Sequence, residues 1–217
     1  MDTTQAKIGN LPITLATFIY LLHDSGIIIR DEKIQSVCTK LEEILRRASL
    51  QGCVKQIQNI LDKQHLNAPT ESIQAFVSGV YGTDVFAEIN INDIGMELVA
   101  AIESSLSPEA TVIELSAWLA ERYDNVNHTW EGESREEQIQ SIRKYSFKSS
   151  LPWLAQIAER HNDELVIHWV LIEKFTDWVI CMDPYPWDDI DEEYELPLND
   201  FMVKWELAGS TSVFIAQ

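Results

Sequence analysis

Positive charge is what this sequence has least of: 16 Lys and Arg stand against 35 Asp and Glu in 217 residues, a formal net charge of −19. Nucleic acids and anionic membranes both select basic surfaces, so this balance argues against either as a partner. An acidic surface instead suits docking of a basic partner. Long apolar runs are missing too. No stretch approaches the roughly 18 residues that span a bilayer, and the opening MDTTQAKIGN has neither the basic n-region nor the apolar h-region of a secretory signal, which predicts a cytoplasmic protein.

Cysteine is scarce. Cys38, Cys53 and Cys181 are odd in number, widely spaced and without a C-x-x-C pair, so neither a disulfide framework nor a zinc site is expected. His23, His65, His128 and His161 show no metal-ligand spacing. A glycine-rich phosphate loop and a G-x-S-x-G elbow are both absent, which sets aside nucleotide-dependent and serine-hydrolase chemistry and predicts no cofactor and no metal. The acidic run DPYPWDDIDEEYE lacks the D-x-D-x-D-G spacing of a calcium loop and reads as a solvated loop.

What is present is a hydrophobic content of 46%, enough for a real core, and a step in charge along the chain. Residues 1–85 carry 8 Lys/Arg against 9 Asp/Glu, and residues 86–217 carry 8 against 26. The step predicts a boundary near Thr83–Phe86, with an α-helical N-terminal region over 1–85 and a second domain over 86–217. Apolar spacing predicts helices over Leu11–Asp24, Asp31–Ser49, about Gly52–Lys63 and Thr70–Val80, with Asp31 and Thr70 as caps. A short strand-like VFAEINI follows, then helices over Asp93–Ser104, from Ser107 or Pro108 to Arg122, and over Ser134–Lys144, with a polar stretch at Tyr123–Glu133. Beyond them the chain turns β: Pro152–Arg160, Glu164–Glu173, Trp178–Pro184, YELPL and TSVFIAQ, with a short helix at Asn199–Glu206. Helices first and an antiparallel sheet afterwards is an α+β order.

Two of these strands bring chemistry together. Glu164–Glu173 and Trp178–Asp183 are joined by four residues, an ordinary hairpin loop. If Glu173 faces Trp178, His168 stands directly opposite Asp183, with Cβ atoms about 5 Å apart. A carboxylate there fixes the tautomer and orientation of the imidazole, as a general base or a thiolate partner requires. The same spacing also suits a core histidine satisfied by a neighbouring acid.

The run HWVLIEKFTDWVICMDPYP, followed by a short helix around NDFMVKW and a last strand SVFIAQ, resembles the second half of the bacteriocin-processing (double-glycine leader) peptidases and their papain-like relatives. The resemblance covers about the last 65 residues. It implies a papain-like cysteine-peptidase fold, with His168 as the base and Asp183 as the orienting acid. Those peptidases carry a cysteine at a helix start, where backbone N–H groups and the dipole lower the thiol pKa, and a glutamine of the oxyanion hole upstream. The best positional match here is Asn92-Asp93-Ile94-Gly95-Met96, which puts Ile94 at the nucleophile position and Glu88 at the oxyanion position. On that alignment both groups are replaced, and thiol acyl transfer has no nucleophile.

Cys53, in QGCVKQIQNIL, is the rival nucleophile, though it lies 115 residues from His168 and Arg47 stands where the glutamine belongs. Cys38 has the helical spacing of a core residue, and Cys181 sits within a strand. Three readings follow. The first is a degenerate, non-catalytic papain-like domain that binds a peptide or protein partner. The second is an active peptidase or acyltransferase using Cys53, His168 and Asp183, and the third is an acidic interaction protein unrelated to peptidases.

Overall fold

The computed structural model of the protein describes residues 11–45, 55, 94–107, 110–161, 164–183 and 193–216. Apart from helical Lys55, the expected helices at Gly52–Lys63 and Thr70–Val80 and the VFAEINI strand lie outside the described residues. The chain divides into two compact units: residues 9–108 with the 183–192 connection, and the main run 109–182 with 193–217.

The first unit is helical. Helix α1 (Leu11–Asp24) is apolar nearly all round, with Leu15, Phe18, Ile19 and Leu22 fully buried, as a helix enclosed on every side must be. It ends where Gly26 takes φ +79°, so that the Ile27 N–H donates to the Leu22 carbonyl and the Gly26 N–H to that of His23. These are the two bonds of a Schellman cap, which needs a left-handed residue. Helix α2 (Glu32–Leu45) starts as expected on Asp31, whose Oδ1 accepts from the N–H groups of Lys33 at 3.0 Å and Ile34 at 3.2 Å. Its buried stripe is Ile34, Val37, Cys38 and Leu41, the spacing of one helical face. Helix α3 (Ile94–Ser105) buries Leu98, Val99 and Ile102 and packs on both α1 and α2.

The second unit is a sheet with helices. Helix α4 (Val112–Ala120) begins later than the apolar pattern predicts, because Thr111 and Glu114 form a capping box: each satisfies the other's backbone N–H. A two-residue strand, β1 (Val126–Asn127), occupies part of the polar stretch after it. Ser134 and Glu137 make a second capping box for helix α5 (Arg135–Ser149). Gly132, at φ +116°, is required there, since a Cβ on it would stand 2.4 Å from the Glu137 Cβ. The remaining elements are β2 (Trp153–His161), β3 (Glu164–Phe175), β4 (Trp178–Met182), β5 (Glu193–Pro197), helix α6 (Leu198–Leu207) and β6 (Ser212–Ile215).

The strands form one antiparallel sheet in the order β1-β6-β2-β3-β4-β5. The fold class is therefore α+β. Strands β2 to β5 follow in sequence, and α6 then carries the chain back to place β6 beside β2. On its way α6 packs against β2, β4 and β5 and buries Phe201, Met202 and Trp205. Phe201 meets Trp153 edge to face, and Trp130 stacks on Phe214 at 3.7 Å. Each such buried side chain contributes roughly 1.5–3 kcal/mol of burial, so this aromatic layer fixes where the helices lie on the sheet. No helix among the described residues is long and apolar enough to cross a membrane.

Candidate functional site

Alternation along β2 points Trp153, Ala155, Ile157 and Glu159 to one face, and their partners on β3 are Ile172, Val170, His168 and Val166. The face is apolar until its last two rungs, where Glu159 and His168 sit on a diagonal. Asp183 is peptide-bonded to Met182, the last paired residue of β4, so the strand sets its place beside the sheet.

The β3–β4 register differs from the one the hairpin loop predicts. Strand β3 continues to Phe175, and the pairs are Phe175 with Val179, Lys174 with Ile180, Ile172 with Cys181 and Leu171 with Met182. Glu173 is skipped on β3 as a bulge. The next rung sets Asp183 opposite Val170, and His168 is its diagonal neighbour rather than its direct partner.

The bulge decides the chemistry. Carried on from the tip without it, the pairing sets Asp183 opposite Leu171, on the other face from His168, because a one-residue slip turns every side chain over. The single extra residue restores the alternation and brings the carboxylate back to the imidazole. One ligand atom each from Glu159, His168 and Asp183 lies within 4.8 Å of the others. The relative exposures are 9%, 2% and 1%, so all three groups are withdrawn from water.

Glu159 also receives Lys204, whose Nζ donates to its Oε1 and whose side chain is 29% exposed. Lys204 lies on α6 three residues after Phe201 and shares its sheet-facing side. Two carboxylates, one imidazole and one ammonium thus converge on one corner of the sheet. Such a set can orient a proton, compensate a buried charge or ligate a cation.

The sequence prediction placed two of these groups, His168 and Asp183, and missed Glu159 and Lys204. The signal for Glu159 was an acid at the fourth position of an alternating buried face, after Trp153, Ala155 and Ile157. Lys204 carried none, since its partner is 45 residues away.

Among the described residues no cysteine belongs to the cluster. Cys53 and Glu88 lie outside the described residues. Ile94 is the first residue of α3, so the backbone does open a helix there. Cys38 is buried, and that burial pushes its thiol up to about 12, the opposite of what a nucleophile needs. Cys181 is fully buried in β4, opposite Ile172 and Tyr194. Neither of these two cysteines is in a disulfide.

A second feature of the sheet unit is an open hollow of about 470 Å³ between α5 and the β3–β4 hairpin. Arg143, Phe147, Lys174 and Asp177 are among the residues that line it, and Arg143 pairs with Asp177 at 2.6 Å. Phe147 is 90% exposed, and Trp178 beyond the hairpin tip is 54% exposed. No protein-family model, no curated protein and no solved structure matches the chain.

Proposed function

We propose that the sheet unit is a papain-like domain without thiol chemistry that binds a basic peptide or protein partner. The observation that carries this reading is the His168–Asp183 pair. Adjacent strands bring the two together, with one ligand atom of each within 4.8 Å of the other, while Cys38 and Cys181 are both buried. A base and its orienting acid without a thiolate have no acyl transfer to perform.

Binding is supported by composition and surface together. Residues 86–217 carry 26 Asp/Glu against 8 Lys/Arg, and Phe147 is exposed in the α5–hairpin hollow, whose lining mixes Glu173 and Asp177 with Arg143 and Lys174. A basic segment with an apolar residue suits both features. Fluorescence anisotropy with arginine- and lysine-containing peptides is expected to show binding that weakens in salt, since exposed charges are screened over about 8 Å at physiological ionic strength. Acidic peptides of the same length are expected not to bind. The chemical half is tested with an electrophilic thiol-peptidase probe, for which no His168-dependent labelling is expected. Labelling of Cys53 that disappears in His168→Ala would instead make the protein an active peptidase.

A further inference from the structure

We propose that Glu159, His168 and Asp183 bind a zinc-class divalent cation, with Lys204 competing with the ion for the Glu159 carboxylate. The inference rests on the side-chain triangle and its charge, and stands whether or not the domain is papain-like.

The donor set is the first argument. A single imidazole nitrogen and two carboxylate oxygens are all ligands that zinc accepts, at about 2.0–2.2 Å each. Ligand atoms around a tetrahedral ion at that distance are separated by about 3.4 Å. Here the three lie within 4.8 Å of one another, so an inward movement of about 1 Å closes the shell. Three protein ligands leave a fourth position for water or a partner's donor group, the arrangement of an open zinc site.

Charge is the second. Glu159 and Asp183 bring two carboxylates to a sheet face that also carries Ile157, Val166 and Val170, all buried. Buried carboxylates need compensation, and one divalent ion balances two of them. Lys204 offsets one, through Glu159, and its partly exposed side chain can withdraw to solvent when an ion arrives. Zinc is favoured over calcium and magnesium, which require six or more oxygens or a nearly complete octahedron.

The three ligands come from β2, β3 and the residue after β4, 9 and 15 positions apart in sequence. That separation explains why no short ligand motif announces the site.

The test uses the full chain stripped with a chelator. Isothermal titration with zinc chloride is expected to show one tight site, with magnesium and calcium much weaker. His168→Gln and Asp183→Asn are each expected to weaken it on the order of 100-fold, at or above the loss usual for an outer-shell partner. Lys204→Met is expected to tighten zinc binding about tenfold by removing a like charge. Cobalt(II), read by its visible absorption, reports tetrahedral coordination independently of stability, so a variant that folds poorly does not decide the matter. One-to-one binding unchanged by His168→Gln and Asp183→Asn would place the ion elsewhere and overturn the proposal. So would no tight binding in either the native chain or Lys204→Met.

Discussion

The two units differ in which polar groups they bury. Within residues 11–45 of the helical unit the buried polar side chains are the neutral Thr14 and Thr17, and charge works at an element end in contact with water, as Asp31 does at the start of α2. In the sheet unit Glu159 and His168 lie inside, on a face that is otherwise Trp153, Ala155, Ile157, Val170 and Ile172, and Asp183, the residue after β4, is buried too. Buried ionisable groups cost several kcal/mol unless paired, whereas a cap is worth about 1 kcal/mol and costs little to make. Polarity kept in the interior against that cost marks a site of use, and the comparison therefore directs attention to the sheet unit.

The largest break in the comparison is expected from deleting Cys181. With the bulge kept, the register beyond it slips by one, Asp183 moves opposite Leu171 and turns to the other face, and the buried cluster loses one of its acids. Zinc binding and any His168–Asp183 coupling, read from histidine NMR titration, are expected to vanish, while α1 and α2 remain helical. Retention of the coupling would show that the β3–β4 register does not set the face.

Next in size is Lys204→Ala, which leaves the Glu159 carboxylate without its ammonium. Breaking a buried pair costs 3–5 kcal/mol, and the partial exposure of Lys204 reduces this to about 2 kcal/mol by urea denaturation. Glu159→Gln combined with Lys204→Met is expected to recover most of that loss. Asp31→Ala, the corresponding change in the helical unit, is expected to cost about 1 kcal/mol, within the range for losing a cap.

The capping boxes give a smaller, pH-dependent effect. Backbone and side-chain hydrogen bonds from Thr111 hold the Glu114 carboxyl below its ordinary 4.5, and those from Ser134 and Glu133 do the same for Glu137. A lowered folded value stabilises the protein above the ordinary one, and that contribution is lost as pH falls through the folded value. Thr111→Ala and Ser134→Ala are thus expected to destabilise at neutral pH and to matter less below about pH 4. A deficit independent of pH would assign the effect to the hydroxyl alone.

Glu173 carries the opposite sign. Desolvation, then the charge of Glu193, push its carboxyl up, so its contribution is present below 4.5 and lost as pH rises through the folded value. Glu173→Gln is expected to stabilise the hairpin slightly at neutral pH, as a small rise in melting temperature.

The helical half of this contrast was legible in the sequence wherever the signal was local. The bounds of α1 coincide with those read from its apolar residues, and Asp31 caps α2. Local signals were also overlooked: Thr111-x-x-Glu114 is a capping box, and it starts α4 four to five residues after the position that apolar spacing suggested. In the sheet the strands were readable but their alignment was not. The expected pairing put His168 directly across from Asp183 and was off by two residues, yet the two share a face because a shift of two keeps the alternation. A bulge at Glu173 has no composition signal, and Glu159 reaches the site only through the β2–β3 register, so half of the cluster depended on tertiary structure.

The most direct test of the account is the distance from the His168 ring to its neighbours in a crystal structure of the full chain. The account predicts carboxylate oxygens of both Glu159 and Asp183 within about 5 Å of one ring nitrogen, and no cysteine sulfur within the roughly 4 Å of a nucleophile–base pair. Cys53 Sγ in that place, with Glu159 turned away, would contradict it and restore a working thiol.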